Sequence, residues 1–267
     1  MVDYYKLDKI FVQGTNYQMP NDRFYVIKKL GTDQATATKL VIDGVETGEI
    51  SNLVAPLYAT SSKLLGPLDL GNLFYVVPPN KTFFVDGASG AKMRCVGLIG
   101  VLAPGEDLPS QYASRFTEQG SHYLMWDQGS KSYASDYTWS DGEEIEIYSL
   151  TPKTIETYIF NNIVQVETGV SGLAAGQAAL RVYIDGKVLD ILTTEPGKKG
   201  IDAFFIPRPP KYDGVREPFT FADWPLRIDG DHTIQLKLIN VSGGNLTVAA
   251  ATDQYIDLVV EYIKKIG

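Results

Sequence analysis

Apolar and polar residues trade places along this chain in short runs, and most runs end at glycine, proline or an Asp-Gly pair. Residues 4–13 mix apolar and charged positions and read as a lead-in strand. Phe24-Tyr25-Val26-Ile27 is a clear apolar run closed by Gly31-Thr32-Asp33, and residues 38–42 make the next strand, with its turn at 44–48. A strand over 73–77 stops at Pro78-Pro79, where the ladder loses its donors. Residues 81–85 and 93–102 follow, the second apolar at nearly every position and so expected to be buried on both faces. Glu144-Ile145-Glu146-Ile147-Tyr148 alternates cleanly. In the second half, strands are predicted over 155–160, 163–167, 179–184, 187–193, 203–206, 233–241 and 246–250. The last stretch, 255–263, carries both helical and extended signals, and Val259-Val260 with two tyrosines favours a strand. Turn signals every ~8–12 residues are the mark of a sandwich or barrel. No strand alternates with a long helical pattern, so the predicted class is all-β and not a parallel α/β sheet.

Within that pattern the chain repeats itself. Lys39-Leu40-Val41-Ile42-Asp43-Gly44 is answered by Arg181-Val182-Tyr183-Ile184-Asp185-Gly186: a cation, alternating apolar residues, isoleucine, then Asp-Gly. Phe83-Phe84-Val85-Asp86-Gly87 is answered by Leu226-Arg227-Ile228-Asp229-Gly230. The aspartates lie 142 residues apart in the first pair and 143 in the second. Asp-Gly ends many strands, but two matches at nearly one offset point to two copies of one β-unit. Pro152 after a closing strand places the joint at 149–153, giving units 1–149 and 150–267.

Residues 104–142 interrupt the first unit. They carry Tyr112, Phe116, Tyr123, Trp126, Tyr133, Tyr137 and Trp139 among small and polar residues, with a short helix expected over 110–119. So long an excursion is rare unless it works or folds on something. The expectation is a loop that packs partly on a neighbouring subunit and partly stands free, with Tyr112, Phe116, Tyr123, Trp126, Tyr137 and Trp139 as its contact residues. Pro207, Pro209 and Pro210 open a second excursion, to about residue 219.

Composition narrows the function. With 44% hydrophobic and 21% charged residues the 267-residue chain is globular and can bury a full core. A net charge of −8, with no run of lysine or arginine longer than a pair, gives nucleic-acid phosphates no basic track. The single cysteine, Cys95, lies in the apolar 93–102 run and reads as a buried, inert thiol. Residues 1–7 include Asp3 and Lys6 and lack the apolar core of a signal peptide, and no stretch is long and apolar enough to span a bilayer as a helix. A protein folded in a cytosol is expected.

Catalytic chemistry has little to draw on. His122 and His232 are the only histidines, and no nucleophile elbow, phosphate loop, H-E-x-x-H or paired C-x-x-C occurs. No catalytic or cofactor-binding residue is expected. Asp141, Glu143 and Glu144 form one carboxylate cluster, Asp229 and Asp231 another. Both lie at Asp-Gly turns, where aspartate serves its own backbone. Asp141, Glu143, Asp229 and Asp231 are also the candidates for a calcium site, because Ca²⁺ accepts several oxygen ligands in irregular geometry. Sugar recognition or cleavage is the competing reading, with Trp126 and Trp139 as stacking faces and Asp141, Glu143 or Glu144 as the acids.

The repeated K/R-x-x-Ile-Asp-Gly and apolar-Asp-Gly elements, the length and the two excursions together resemble the double jelly-roll major capsid proteins of membrane-containing icosahedral viruses, bacteriophages among them. The resemblance spans nearly the whole chain and is one of architecture, without a diagnostic motif. It implies two tandem jelly-roll barrels with long loops, a homotrimer as the capsomer, and assembly with other virion proteins around an internal membrane. It further implies synthesis in the host cytoplasm and residence in the virion. The two excursions are unequal, which departs from a strict repeat. The alternative is a carbohydrate-binding or receptor-binding spike that uses the aromatic loop.

Overall fold

A computed structural model describes residues 2–58, 66–189, 200–206, 219–221 and 225–265. The proline-opened excursion at 207–218 and the end of the strand predicted over 187–193 lie outside these residues. The fold is all-β, with one α-helix among the described residues. Two compact units emerge from the contacts: residues up to Trp126 together with those from Glu261 onward, and Asp127–Val260.

The first unit builds two antiparallel sheets. One holds β1 (Asp3–Val12), β9 (Lys92–Val101) and β3 (Arg23–Thr32) in that order, with β6 (Leu68–Asp69) and β7 (Tyr75–Val77) both pairing β3. The other runs β2 (Tyr17–Gln18), β8 (Thr82–Asp86), β4 (Lys39–Ile42), β5 (Val45–Glu46). Alternation decides which face turns inward: β8 buries Phe83 and Val85 and exposes Thr82 and Asp86. Phe11 of β1 meets Phe83 of β8 edge to face at 5.0 Å, so the two sheets close on one aromatic-lined core. Cys95 lies in that core with no exposed surface, and burial pushes its thiol pKa far up, as the sequence reading expects.

The outer face of the first sheet is covered too. Phe24, Val26 and Leu102 are buried there beneath Tyr112 of α1 (Ser110–Glu118). Tyr112 packs on Phe24 at 5.3 Å and on Phe74 at 5.9 Å. Two polar side chains near the helix end fix it in place. Arg115 donates to the carbonyls of Phe74 and His122. Gln119, with no exposed surface, accepts from the Val76 amide at 2.8 Å and donates to its carbonyl at 3.2 Å. Its carboxamide therefore does for β7 what a neighbouring strand would do. Gln119→Leu keeps the volume but leaves a buried N–H and C=O unpaired, at about 1–3 kcal/mol each. A loss of roughly 2–5 kcal/mol is expected, read as a lower urea midpoint with unchanged slope.

The second unit contains the greater part of β10 (His122–Ser132) and of β21 (Asp253–Lys264), and the whole of β11 (Tyr137–Trp139), β12 (Glu144–Leu150), β13 (Glu156–Glu167), β14 (Ala178–Ile184), β15 (Lys187–Val188), β16 (Ile201–Asp202), β17 (Phe219–Thr220), β18 (Leu226–Asp229), β19 (Ile234–Asn240) and β20 (Leu246–Val248). Both breaks between the compact units fall inside strands, β10 and β21. One sheet is ordered β10-β21-β13, with β17 and β18 both pairing β13; the other is ordered β12-β19-β14-β15, with β16 also on β14. A β11–β20 ribbon completes the unit. Tyr148 of β12 meets Phe160 of β13 at 6.0 Å, again joining the two sheets through aromatic rings.

Eight strands of these sheets repeat the order of the first unit. β10, β12, β13, β14, β15, β18, β19 and β21 occupy the places of β1, β2, β3, β4, β5, β7, β8 and β9. The repeated Asp-Gly pairs sit in equivalent hairpins. Asp43 and Gly44 have φ of 51° and 78°, Asp185 and Gly186 of 50° and 74°, the left-handed pair that a two-residue type I′ turn requires. Asp43 N–H donates to Thr82 and Asp185 N–H to Thr233, while Thr47 closes on Leu40 as Leu189 closes on Val182.

The second sequence match does not correspond. Asp86 ends β8, opposite Lys39, whereas Asp229 ends β18, a strand of the other kind of sheet. Opposite Arg181 stands Lys237 of β19, and that is the true counterpart of Asp86. Residues 104–142 are likewise not one long loop, since they hold α1, β10 and β11. β12 pairs β19 of the second unit, and the joint expected at 149–153 coincides with the passage from β12 to β13, strands of different sheets. Residues 203–205, expected as strand, form a 3-10 turn because Asp202 accepts from the Phe204 amide and caps it.

Candidate functional site

Among the described residues the first unit carries an open cleft of about 400 Å³, lined by Lys39, Glu46, Glu49, Tyr123, Tyr262 and Lys264 among others. Its floor follows from the β4–β5 hairpin. Thr47 bonds through its hydroxyl to both backbone groups of Leu40. Gly48 then passes so close to Leu124 that a Cβ would lie 1.9 Å from its carbonyl oxygen. Buried Tyr75 ties the crossing by accepting from the Gly48 amide and donating to Leu124. Tyr123 stacks on Tyr262 at 4.9 Å and forms one wall.

Lys39 supplies the charge. Its ammonium lies 2.9 Å from Glu46, 3.3 Å from Glu49 and 3.8 Å from Asp86. The Glu46 hydrogen bond outweighs the effect of burial, with Glu49 adding to it, and the lysine pKa rises. Arg181, the counterpart of Lys39, donates to Glu144 at 2.5 Å, and Tyr183 donates to the same carboxylate. Burial alone would raise the Glu144 pKa; the Tyr183 and Arg181 hydrogen bonds together outweigh it and hold the carboxyl low. The repeated cation thus anchors an ion pair in each unit.

The carboxylates proposed for calcium are each engaged in hydrogen bonds within the protein. Asp141 accepts from the Gly243 amide at 2.9 Å. Glu143 accepts from Tyr137 and from the Ser140 amide, and its hydrogen bond with Tyr137 pushes that phenol up to about 12. Asp229 accepts from Thr157 at 2.7 Å and from Arg227; Asp231 accepts from Thr154 at 3.2 Å. Among the described residues no three acidic, histidine or cysteine side chains gather as a metal site. His122 pairs with Glu261 at 2.6 Å and His232 with Asp185 at 2.8 Å.

The six aromatic residues proposed as contacts are dispersed. Tyr112 and Phe116 lie on α1, Tyr123 and Trp126 on β10, Tyr137 and Trp139 on β11. Tyr112, Phe116, Tyr123, Trp126 and Tyr137 are half-buried. Trp139 has no exposed surface, and its indole donates to the Glu143 carbonyl at 2.9 Å. A sugar cannot stack on it in this fold. Sequence reading missed Glu46, Glu49 and Tyr262, which only the tertiary fold brings beside Lys39. It also passed over the exposed face of β1.

No protein-family profile matches the chain, and no curated protein sequence matches it. Among solved structures, the major capsid protein P2 from bacteriophage PM2 aligns over 100% of this chain and 98% of its own, with 13% identity and a TM-score of 0.33. A chain of the Sputnik virophage aligns over 98% of this chain and 85% of its own, at 8% identity and a TM-score of 0.30. The ANX2 ectodomain from Arabidopsis thaliana aligns over 97% of this chain and 83% of its own, at 10% identity and a TM-score of 0.26. Scores this low do not establish a common fold.

Proposed function

We propose that the chain is a coat protein: a major capsid protein whose two units are tandem jelly-roll barrels, and whose homotrimers are the capsomers of an icosahedral virion around an internal membrane. The observation that carries this reading is the repeated strand order, with the matched hairpins at Asp43-Gly44 and Asp185-Gly186. Eight strands in two packed sheets, ordered first-last-third-sixth and second-seventh-fourth-fifth, are the jelly-roll arrangement, in which few edges are left open. Two such barrels in one chain let a trimer present six nearly equivalent sides to its neighbours. On this reading the second barrel starts with β10, α1 lies in the connection between the barrels, and the chain acts by assembly with other virion proteins and not by turnover. Light scattering of the purified full-length chain tests it. A mass of three chains, or of a whole multiple of three, is expected, and a strict monomer at high concentration would overturn the proposal.

A further inference from the structure

Six large apolar side chains stand exposed among the described residues, and four of them, Tyr4, Tyr5, Ile10 and Val12, lie on β1. A fifth, Tyr58, packs its ring over Arg94, the β9 residue opposite Ile10. β1 is the end strand of its sheet: all ten residues pair with β9, and no other described strand pairs its second side. Only Leu7 and Phe11 of the ten are buried. A long edge strand bearing this much apolar surface invites another strand.

We propose that β1 is an interaction surface for a second copy of this chain, joined by antiparallel β1–β1 pairing across a two-fold axis at Leu7. The register follows from charge. A two-fold axis perpendicular to a sheet keeps residues of one parity on one face, so the centre must fall on a residue and not between two. Centred on Leu7, Lys6 opposes Asp8 of the second copy, Tyr4 opposes Ile10, and Tyr5 opposes Lys9. Apolar surface is then matched, and each Lys6 gains the Asp8 of the second copy, a carboxylate that Arg94 of its own chain holds at 2.8 Å. Moving the centre to Lys6 sets lysine against lysine, and moving it to Asp8 sets aspartate against aspartate. Lysines on an edge usually guard against indiscriminate pairing; with Asp8 between Lys6 and Lys9, they admit one register and reject its neighbours. Self-complementarity of this kind is what an isologous contact requires, and it makes a second copy a better occupant than an unrelated strand. The contact does not depend on the coat-protein reading.

Mixing full-length Lys6→Cys protein with full-length Asp8→Cys protein under mild oxidation tests the register. Directly opposed residues of antiparallel strands lie about 4.5–5.5 Å apart at Cα, within disulfide reach. The native Cys95 is fully buried and does not compete. Disulfide-linked pairs are expected from the mixture and not from either variant alone. Tyr5→Lys with Ile10→Lys should raise the concentration for pairing at least about tenfold, since the first sets lysine against Lys9 and the second removes the apolar contact between Ile10 and Tyr4. No link in the mixture, or equal linking in either single variant, would overturn the proposal. A three-chain mass that persists while the link fails would sink the strand pairing alone and leave the coat-protein reading standing.

Discussion

Replacing Gly97 by alanine should destabilise the first unit by roughly 3 kcal/mol or more, beyond the ordinary range for overpacking. Gly97 lies in β9, where β3 shifts register between Ile27 and Lys29. The bulge turns the β3 backbone toward β9, so that a Cβ on Gly97 would lie 2.0 Å from the Val26 carbonyl oxygen and 3.0 Å from the Lys28 amide. These are backbone atoms of a paired strand and cannot rotate away as a side chain might. Relief requires the β3–β9 ladder to open beside Val26 and Ile27, neither of which has any exposed surface. Gly244 makes the control, because a Cβ there meets nothing within 4 Å. Gly244→Ala should fall within about 0.5 kcal/mol of the parent. If Gly97→Ala costs no more than Gly244→Ala in urea unfolding, the account of the bulge is wrong.

Trp139→Ala is expected to cost about 3–5 kcal/mol, the range for truncating a buried aromatic side chain. Trp139 fills the space beneath the β11–β20 ribbon, where it opposes Leu246. Its removal leaves a cavity and also strips the Glu143 carbonyl of its indole donor. Trp139→Phe keeps much of the volume and loses the hydrogen bond, so a smaller loss of about 1–3 kcal/mol is expected. The two variants separate packing from hydrogen bonding. A Trp139→Ala protein as stable as the parent, but altered in sugar binding, would contradict the burial and restore the stacking role.

The hairpin at Asp43-Gly44 and its counterpart at Asp185-Gly186 were legible because a type I′ turn leaves a local chemical mark: two left-handed residues call for Asp-Gly and little else. The match of Asp86 with Asp229 misled for the same reason. Asp-Gly marks the end of a strand without saying which sheet the strand joins, and β8 and β18 join different ones. The terminal strand was readable from its β-branched and aromatic residues. β10 was not. Of its eleven residues only Leu124 and Gly129 are buried, so the alternation that announces a strand is missing. Gly129 is there because a Cβ would lie 2.1 Å from the Ile147 carbonyl oxygen, a requirement set by a strand eighteen positions away. Gln119 escaped notice because a glutamine that substitutes for a neighbouring strand has no local signature at all; its partner, Val76, is 43 residues away.

The claim that one chain carries two copies of one barrel and acts as a coat protein is tested most directly by electron-microscopic class averages of the purified full-length assembly. Three-fold particles whose outline shows six nearly equal lobes, two from each chain, are the predicted result. Isolated single chains, or three-fold particles with only three lobes, would contradict it.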